Sequence, residues 1–515
     1  MMKKQEITNI AAKVVTFIIN LGVSFFLTPF VVSNIGEEAY GFVGLANDFV
    51  SYAQIFTTAL NSMASRFITI EYEKRNFNSA RQYYSSLFFM NLLMAFLVTI
   101  IGSSIICNLE NLVNVGNAPL SDIKVLWGFL LLNFIIGLIN TVFSVATFCK
   151  NRLDLEAIRT ALGIMIKAII LIICYRYFTP MVWYIGMGTI VAGAYTLIYN
   201  LKYTHRLMPD MKIDINDFQI EKIKILFKSG MWNSFTKVGT ILRTGLDLIV
   251  TNLYVGSTQM GVMSISRTIP NYILNLFAVL SSVFTPRLVT SFARNDLDGM
   301  KKQINTAIRL CSIIACIPMV ILLSCGYELF QLWVPTLDAG ILYTITIVPC
   351  LGYIILLPFE PVWNIFTAFN KVKIPSIVLL SESAISLLIE FVLLTLVESS
   401  EARLIVITAT SSVFVIVRSI LFVPLYASYC MNFNVINIYK PIIKNIICTS
   451  ILTITAFQFK KIFRVDSWFR LILFVLIIAL LSLMFSIMVM LTMEERKSIK
   501  YIVLNFGGKK WKNIN

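Results

Sequence analysis

The sequence predicts an all-α polytopic membrane protein of about 14 transmembrane helices, arranged as two pseudo-symmetric six-helix bundles plus two C-terminal helices. Three observations predict it. Long apolar blocks recur along all 515 residues, basic residues concentrate in alternate loops, and the chain matches itself when shifted by 220 positions. The composition is 57% hydrophobic and 14% charged, with a mean hydropathy of +0.80. A helix needs about 20 predominantly apolar residues to cross a bilayer, and blocks such as 471–490 carry no charge at all.

The spans are expected at 10–33, 40–65, 83–107, 123–148, 157–178, 181–202, 225–254, 260–288, 304–326, 340–366, 375–397, 402–429, 441–459 and 468–492. In the first, Lys13, Thr16, Asn20, Ser24 and Thr28 recur every three or four residues and so share one helical face. The second has Asn47, Ser51, Gln54, Thr58, Asn61 and Ser65 in the same rhythm. The seventh has Asn233, Lys237, Thr240, Thr244, Asp247 and Thr251, and the eighth Arg267, Asn271, Ser281 and Thr285. The tenth has Glu360 between Pro358 and Pro361, where two prolines free backbone groups and predict a bend or gate.

Lys and Arg gather in the loops holding Lys74, Arg75 and Arg81, then Lys150 and Arg152, then 202–228, and later Lys301, Lys302, Lys371, Lys373, Lys440 and Lys444. By the positive-inside rule these loops face the cytoplasm, with both termini and a basic tail at 494–515. The net charge of +16 is thereby explained without nucleic acid. The last outer hairpin, with Lys460, Lys461, Arg464 and Arg470, breaks the rule. Lys3 and Lys4 precede an apolar run as in a signal peptide, but that run carries Lys13 and no small-residue cleavage site, so it reads as a retained helix.

Under the 220 shift, Ile35-Gly36 to Gly41-Phe42-Val43 falls on Val255-Gly256 to Gly261-Val262-Met263, and Tyr52 falls on Tyr272. Lys13 falls on Asn233, Asn20 on Thr240, Ser24 on Thr244, Asn47 on Arg267, Ser51 on Asn271 and Asn61 on Ser281. An even number of spans separates the copies, so both run in the same direction through the membrane, a transporter plan with its site between repeats. The segments are 1–220, 221–432, an extra helix pair 433–493 and the tail 494–515.

Ser, Thr and Asn on these faces serve equally well as interhelical hydrogen-bonding groups. The charges are costlier, at about 2.5 kcal/mol or more each in mid-membrane. Lys13, Lys237, Arg243, Arg267, Asp48 and Asp247 lie within the spans. Arg243 and Asp247, four apart, either neutralise each other or face a cavity, whereas Lys13 and Arg267 have no local acid. A hydrated cationic cavity accounts for all of them. Chemistry is less legible. There is no phosphate-binding glycine loop, the only histidine is His205, and the nine cysteines lack metal-ligand spacing, so no metal or cofactor site is expected. Glu37-Glu38 reads as a solvated turn, and no outer loop is large enough for an enzyme acting on sugars.

The stretches Leu27-Thr28-Pro29-Phe30, Ile35 to Gly41 and Ala59-Leu60-Asn61-Ser62-Met63-Ala64-Ser65-Arg66-Phe67 resemble polysaccharide flippases. So do Ser229-Gly230-Met231-Trp232-Asn233, Gly245-Leu246-Asp247-Leu248, Phe284-Thr285-Pro286 and Phe369 to Pro375. These flippases belong to the multidrug, oligosaccharidyl-lipid and polysaccharide exporter superfamily. The resemblance covers nearly the whole chain. It implies a transporter, not an enzyme, in the bacterial plasma membrane, moving an O-antigen, capsule or exopolysaccharide repeat unit on polyprenyl pyrophosphate. Its partners would be that lipid-linked oligosaccharide, membrane lipid, and a polymerase and glycosyltransferases. The extra helix pair favours the lipid-linked branch over multidrug exporters. Lys13, Lys237, Arg243 and Arg267 would receive the pyrophosphate, Asp48, Asp247 and Glu360 would couple an ion, and Asn20, Ser24, Asn47, Ser51, Asn61, Asn233, Thr240 and Asn271 would line the cavity.

Overall fold

The computed structural model describes residues 2–496 apart from 283, 286, 287, 289, 290, 293, 295, 370, 492, 494 and 495. Pro286, Asn370 and the basic tail other than Arg496 lie outside the described residues. Among these the regular structure is entirely helical, in the order α1 (Met2–Glu73), α2 (Phe77–Cys107), α3 (Leu109–Leu112), α4 (Leu120–Cys149), α5 (Leu153–Tyr177), α6 (Tyr184–Leu207), α7 (Ile220–Thr240), α8 (Asp247–Tyr254), α9 (Ser257–Ser266) and α10 (Thr268–Ser282). There follow α11 (Leu297–Trp333), α12 (Ala339–Phe359), α13 (Trp363–Ala368), α14 (Lys373–Leu396), α15 (Ser400–Val417), α16 (Val423–Met431), α17 (Val435–Ile462) and α18 (Trp468–Met490). The helix starts are fixed locally by short polar side chains. Asn76 accepts from the Ser79 amide (3.3 Å), Asp296 from Gly299 (2.8 Å) and Asp338 from Gly340 (2.7 Å), which satisfies amides left open at a helix N-terminus.

Ten helices among the described residues are long and apolar enough to cross a membrane. The first, 11–73, is far too long for one crossing and breaks at Gly36 (φ 81°, ψ 162°), a conformation open almost only to glycine. The expectation of fourteen spans further counts the second arm of this helix and the stretches 184–207, 220–254 and 257–282. These last three are helical but are not among the ten, 184–207 although it is 24 residues long, and the other two are interrupted. Between α7 and α8 the backbone passes through a π-helical turn, Ile241–Gly245. At Glu360–Val362 it tightens to a 3-10 turn where Pro358 and Pro361 deny the ladder its donors.

The chain divides into two compact units, one of residues 1–272 with 372–414, the other of 273–371 with 415 onward. This line differs from the segments 1–220 and 221–432, because α7 packs on both α1 and α14, and α9 packs on α1. In the first unit the core joins Leu60, Ile68, Tyr84, Leu87, Val142 and Leu226. In the second, Met300, Phe359, Phe366 and Val423 form one core, and Val320, Phe474 and Ile478 another. Large apolar side chains also stand exposed in rows, such as Phe96, Ile100 and Ile101 on α2 and Ile472, Leu476, Leu480 and Met484 on α18, as lipid-facing surfaces require. Lipid is itself apolar, so helix association there relies on close packing and interhelical hydrogen bonds, each about 0.6–2 kcal/mol. Asn91 donates to Asn61 (2.9 Å) and Asn200 to Asn140 (2.8 Å) in this way.

The hairpin that breaks the positive-inside rule is partly neutralised. Lys460 pairs with Glu328 at 2.6 Å and donates to the Ser324 carbonyl at 2.8 Å, beside the irregular turn at Cys325, and Arg470 pairs with Asp466 at 2.6 Å.

Candidate functional site

Within the first unit the second arm of α1 (37–73) lies alongside α9, and the contacts follow the repeat. A Cβ on Gly41 would stand 2.9 Å from the Gly261 Cα, and one on Gly44 would strike Ser264. Both pairs are separated by the 220 positions of the repeat. Gly36 and Gly256, the glycines that start these two helices, both have positive φ, 81° and 133°. Two helices running in the same direction and touching at equivalent residues are related by a local pseudo-two-fold axis parallel to them. The tyrosines obey it too. The Tyr52 hydroxyl donates to the Gly245 carbonyl at 2.5 Å, while Tyr272 meets Ser24 and Thr28, on either side of Phe25, the repeat counterpart of Gly245.

One turn beyond the glycines sits the charged centre. Arg267 Nη1 donates to Asp48 Oδ2 at 2.8 Å and Nη2 to Oδ1 at 3.4 Å, both side chains largely buried. Lys237 is a second cation in electrostatic range of Asp48, and Asp247, buried on α8, interacts with Arg267, Asp48 and Arg243. A pocket of about 210 Å³ opens on this pair, lined among others by Tyr40, Asn47, Asp48, Ser264, Arg267 and Asn271. Arg267 has no acid near it in the sequence, but Asp48 reaches it across 219 positions. The centre is therefore a mixed network of two carboxylates and three cations.

Arg243 and Asp247 form no ion pair with one another among the described residues, and Arg243 Nε is buried without a hydrogen-bond partner. The π turn between them is the cause. A turn closed at i+5 rotates the side chains away from the i, i+4 alignment of an α-helix. Lys13 lies apart from the network. It is exposed, one turn beyond Asn9, which donates to Asn151, and beside Thr16, which donates to the Ala157 carbonyl at 2.9 Å. That level is the start of α5, at one end of the span, and its electrostatic neighbour is Glu156.

The neutral positions divide. Asn271 lines the pocket, as does Asn47, whose amide donates to its own helix at Val43. Asn61 is held by Asn91, Asn233 donates to Ser62 (3.1 Å) and Thr240 to the Thr236 carbonyl (3.0 Å), which are helix-to-helix or within-helix bonds. Ser24 reaches Asn20 at 3.5 Å, and Ser51 is half-buried. Glu360 belongs to the second unit, where its carbonyl accepts from Ser281 at 3.2 Å. Ser281 and Thr285 are further tied to Asn364 at 3.0 and 2.8 Å.

Sequence reasoning did not single out Tyr40, which lines the pocket, and marked Tyr52 only as the repeat counterpart of Tyr272. It also misread Glu38, which is no free solvated turn. Its carboxylate accepts from Ser257 Oγ (2.5 Å) and from the Asn117 amide (3.1 Å), clasping the starts of the two symmetry-related helices. Asn114 and Asn252 bond each other nearby, at 2.7 and 2.9 Å. Among the described residues no three His, Cys, Asp or Glu side chains gather as a metal site.

A multi-pass helical membrane protein with a buried charge network on repeat-related helices has the plan of a transporter. A family model described as "Polysaccharide biosynthesis protein" matches residues 35–333. The chain belongs to that family, the polysaccharide-flippase branch expected from its motifs. It is 26% identical over 499 residues to the Bacillus subtilis (strain 168) "Uncharacterized membrane protein EpsK", covering 95% of this chain and 96% of that one. Its fold is similar to that of the lipid II flippase MurJ in an inward closed conformation (TM-score 0.63, 15% identity, 92% of this chain and 98% of that chain). It is likewise similar to an inward-facing multidrug resistance transporter of the MATE family in the MOP superfamily (TM-score 0.63, 15% identity, 81% and 95%).

Proposed function

We propose that the protein is a flippase that carries polyprenyl-pyrophosphate-linked oligosaccharide repeat units from the cytoplasmic to the outer leaflet of the bacterial plasma membrane, by alternating access, for surface polysaccharide synthesis. The observation that carries this reading is the Arg267–Asp48–Lys237–Asp247 network, set within membrane helices beside a polar pocket. Arg and Lys pair strongly with phosphate oxygens, and an Arg already held by a carboxylate keeps donors for a second acceptor. Arg243, with a buried unpartnered Nε, is a further donor. Lys13, at one end of its span, would meet the head group on entry. Family membership supports the substrate class. In this proposal the chain makes fourteen crossings as segments 1–220, 221–432 and 433–493, with both termini cytoplasmic, and works beside a polymerase and glycosyltransferases.

The test is to label lipid-linked glycans from outside in spheroplasts with and without the protein. Repeat units trapped on the cytoplasmic face in its absence support the reading, and unchanged exposure with normal surface polysaccharide overturns it. A second reading, a cation-coupled exporter of small molecules, is favoured by Asp48 and Asp247, two carboxylates in electrostatic range of Arg267 and of each other. A drug-sensitivity panel on the same strains separates the two.

A further inference from the structure

In the second unit, the first turns of α11, the start of α17 and the end of α18 enclose a pocket of about 390 Å³. Arg309, Lys440, Lys444 and Arg496 line it, with the amides of Asn305 and Asn437 and no carboxylate among the described residues. Its other wall is apolar, formed by Pro441, Met490, Leu491 and Met493. Two of the cations have a structural duty. Lys444 donates to the Val489 carbonyl at 3.3 Å, and Arg496 to the Leu491 carbonyl at 3.1 Å and to that of Met488. They close the open carbonyls at the negative end of α18. Helix capping needs neither Lys440 nor the apolar wall. Lys440 is exposed and makes none of these bonds.

From this pocket we infer a binding site for the phosphate headgroup of an anionic membrane phospholipid. The position fits, because the pocket lies where the membrane helix α17 begins and α18 ends, against the flank of α11. The chemistry fits as well, since basic pockets between transmembrane helices bind anionic headgroups, each Lys or Arg near such a surface being worth about fivefold in affinity. Below the pocket an exposed apolar row on α17 (Ile443, Ile447, Ile451, Ile454) continues toward the membrane interior, a track for acyl chains that a free phosphate would not use. The site depends on the chain spanning a membrane but not on the flippase reading, since it shares no residue with the Asp48–Arg267 pocket.

The test uses the purified full chain in a neutral detergent, with bound lipid counted by native mass spectrometry. Phosphatidylglycerol should be retained over phosphatidylcholine, and Lys440→Gln should lower that retention about fivefold. Lys440→Arg should preserve it. Lys440→Gln leaves the helix end untouched, so an unchanged unfolding temperature without lipid will certify the fold. Equal retention of phosphatidylcholine, or no loss in Lys440→Gln, overturns the site. Displacement of the phospholipid by millimolar inorganic phosphate overturns the lipid as its source and leaves a soluble-anion site.

Discussion

At the scale of single residues the structure turns on which charges find partners. Asp48 and Arg267 are buried against each other, and removing one member of such a pair strands the other at a cost of about 3–5 kcal/mol. Asp48→Ala should therefore lower the unfolding temperature in detergent more than the double variant Asp48→Ala/Arg267→Met, which strands no charge. Both should fail in the glycan-exposure assay, because both lose the guanidinium pair; a fully active double variant would remove this pair from the transport mechanism. Tyr52→Phe deletes one hydrogen bond, to Gly245, and should cost about 0.5–1.5 kcal/mol without loss of the protein from the membrane, read by the same thermal measurement. The charged residues themselves were legible in the sequence, since ionisable groups in apolar blocks stand out. Their pairing was not. Asp48 and Arg267 are far apart in the chain, the repeat aligned Arg267 with Asn47 instead, and only the close approach of two helices at glycines joins them. Lys13 stands apart from that pair, exposed near one end of its span with Glu156 as its electrostatic neighbour.

At the scale of elements, glycine positions were the most readable feature. Gly36 and Gly256 marked the repeat in the sequence and both occupy positive φ in the structure. Gly36→Ala places a Cβ where the backbone hardly admits one and should destabilise by about 1–3 kcal/mol, seen as a lower unfolding temperature. Gly41→Leu should act differently. Its side chain would collide with Gly261 and hold α9 away from α1, so transport should stop while expression persists. Wild-type glycan exposure in Gly41→Leu would mean that this contact plays no part. The π turn at 241–245 was illegible, because an extra residue in a helical turn leaves no trace in a pattern of threes and fours. The tenth span was readable, since Pro358 and Pro361 announced the break that the 3-10 turn carries out.

At the scale of the whole molecule, the crossing of the chain between compact units matters more than the repeat. The first unit takes residues 1–272 and returns for 372–414. A fragment 1–220 would lack α7, α8, α9 and α14, which complete its packing, so alone it should be degraded, and co-expression with 221–515 should restore both fragments. Accumulation of stable 1–220 by itself would contradict this. The membrane class and the family were legible throughout, because hydropathy and loop charge act over the full length. The unit boundary was not, because it depends on which helices touch. A disulfide across the clasp tests motion directly. Glu38→Cys with Ser257→Cys, in a background where the exposed Cys107 is serine, should stop transport on oxidation and regain it on reduction.

The Gly41–Gly261 crossing brings backbone against backbone, with the Met260 side chain packed beside it. Parting these helices there uncovers the buried side chain of Met260 and frees its rotamers, so the step carries a positive heat-capacity change. Its equilibrium is set jointly by that side chain, by the polar clasp of Glu38, Ser257 and Asn117 and by the Arg267–Asp48 pair, and so varies with temperature along a curved van't Hoff line.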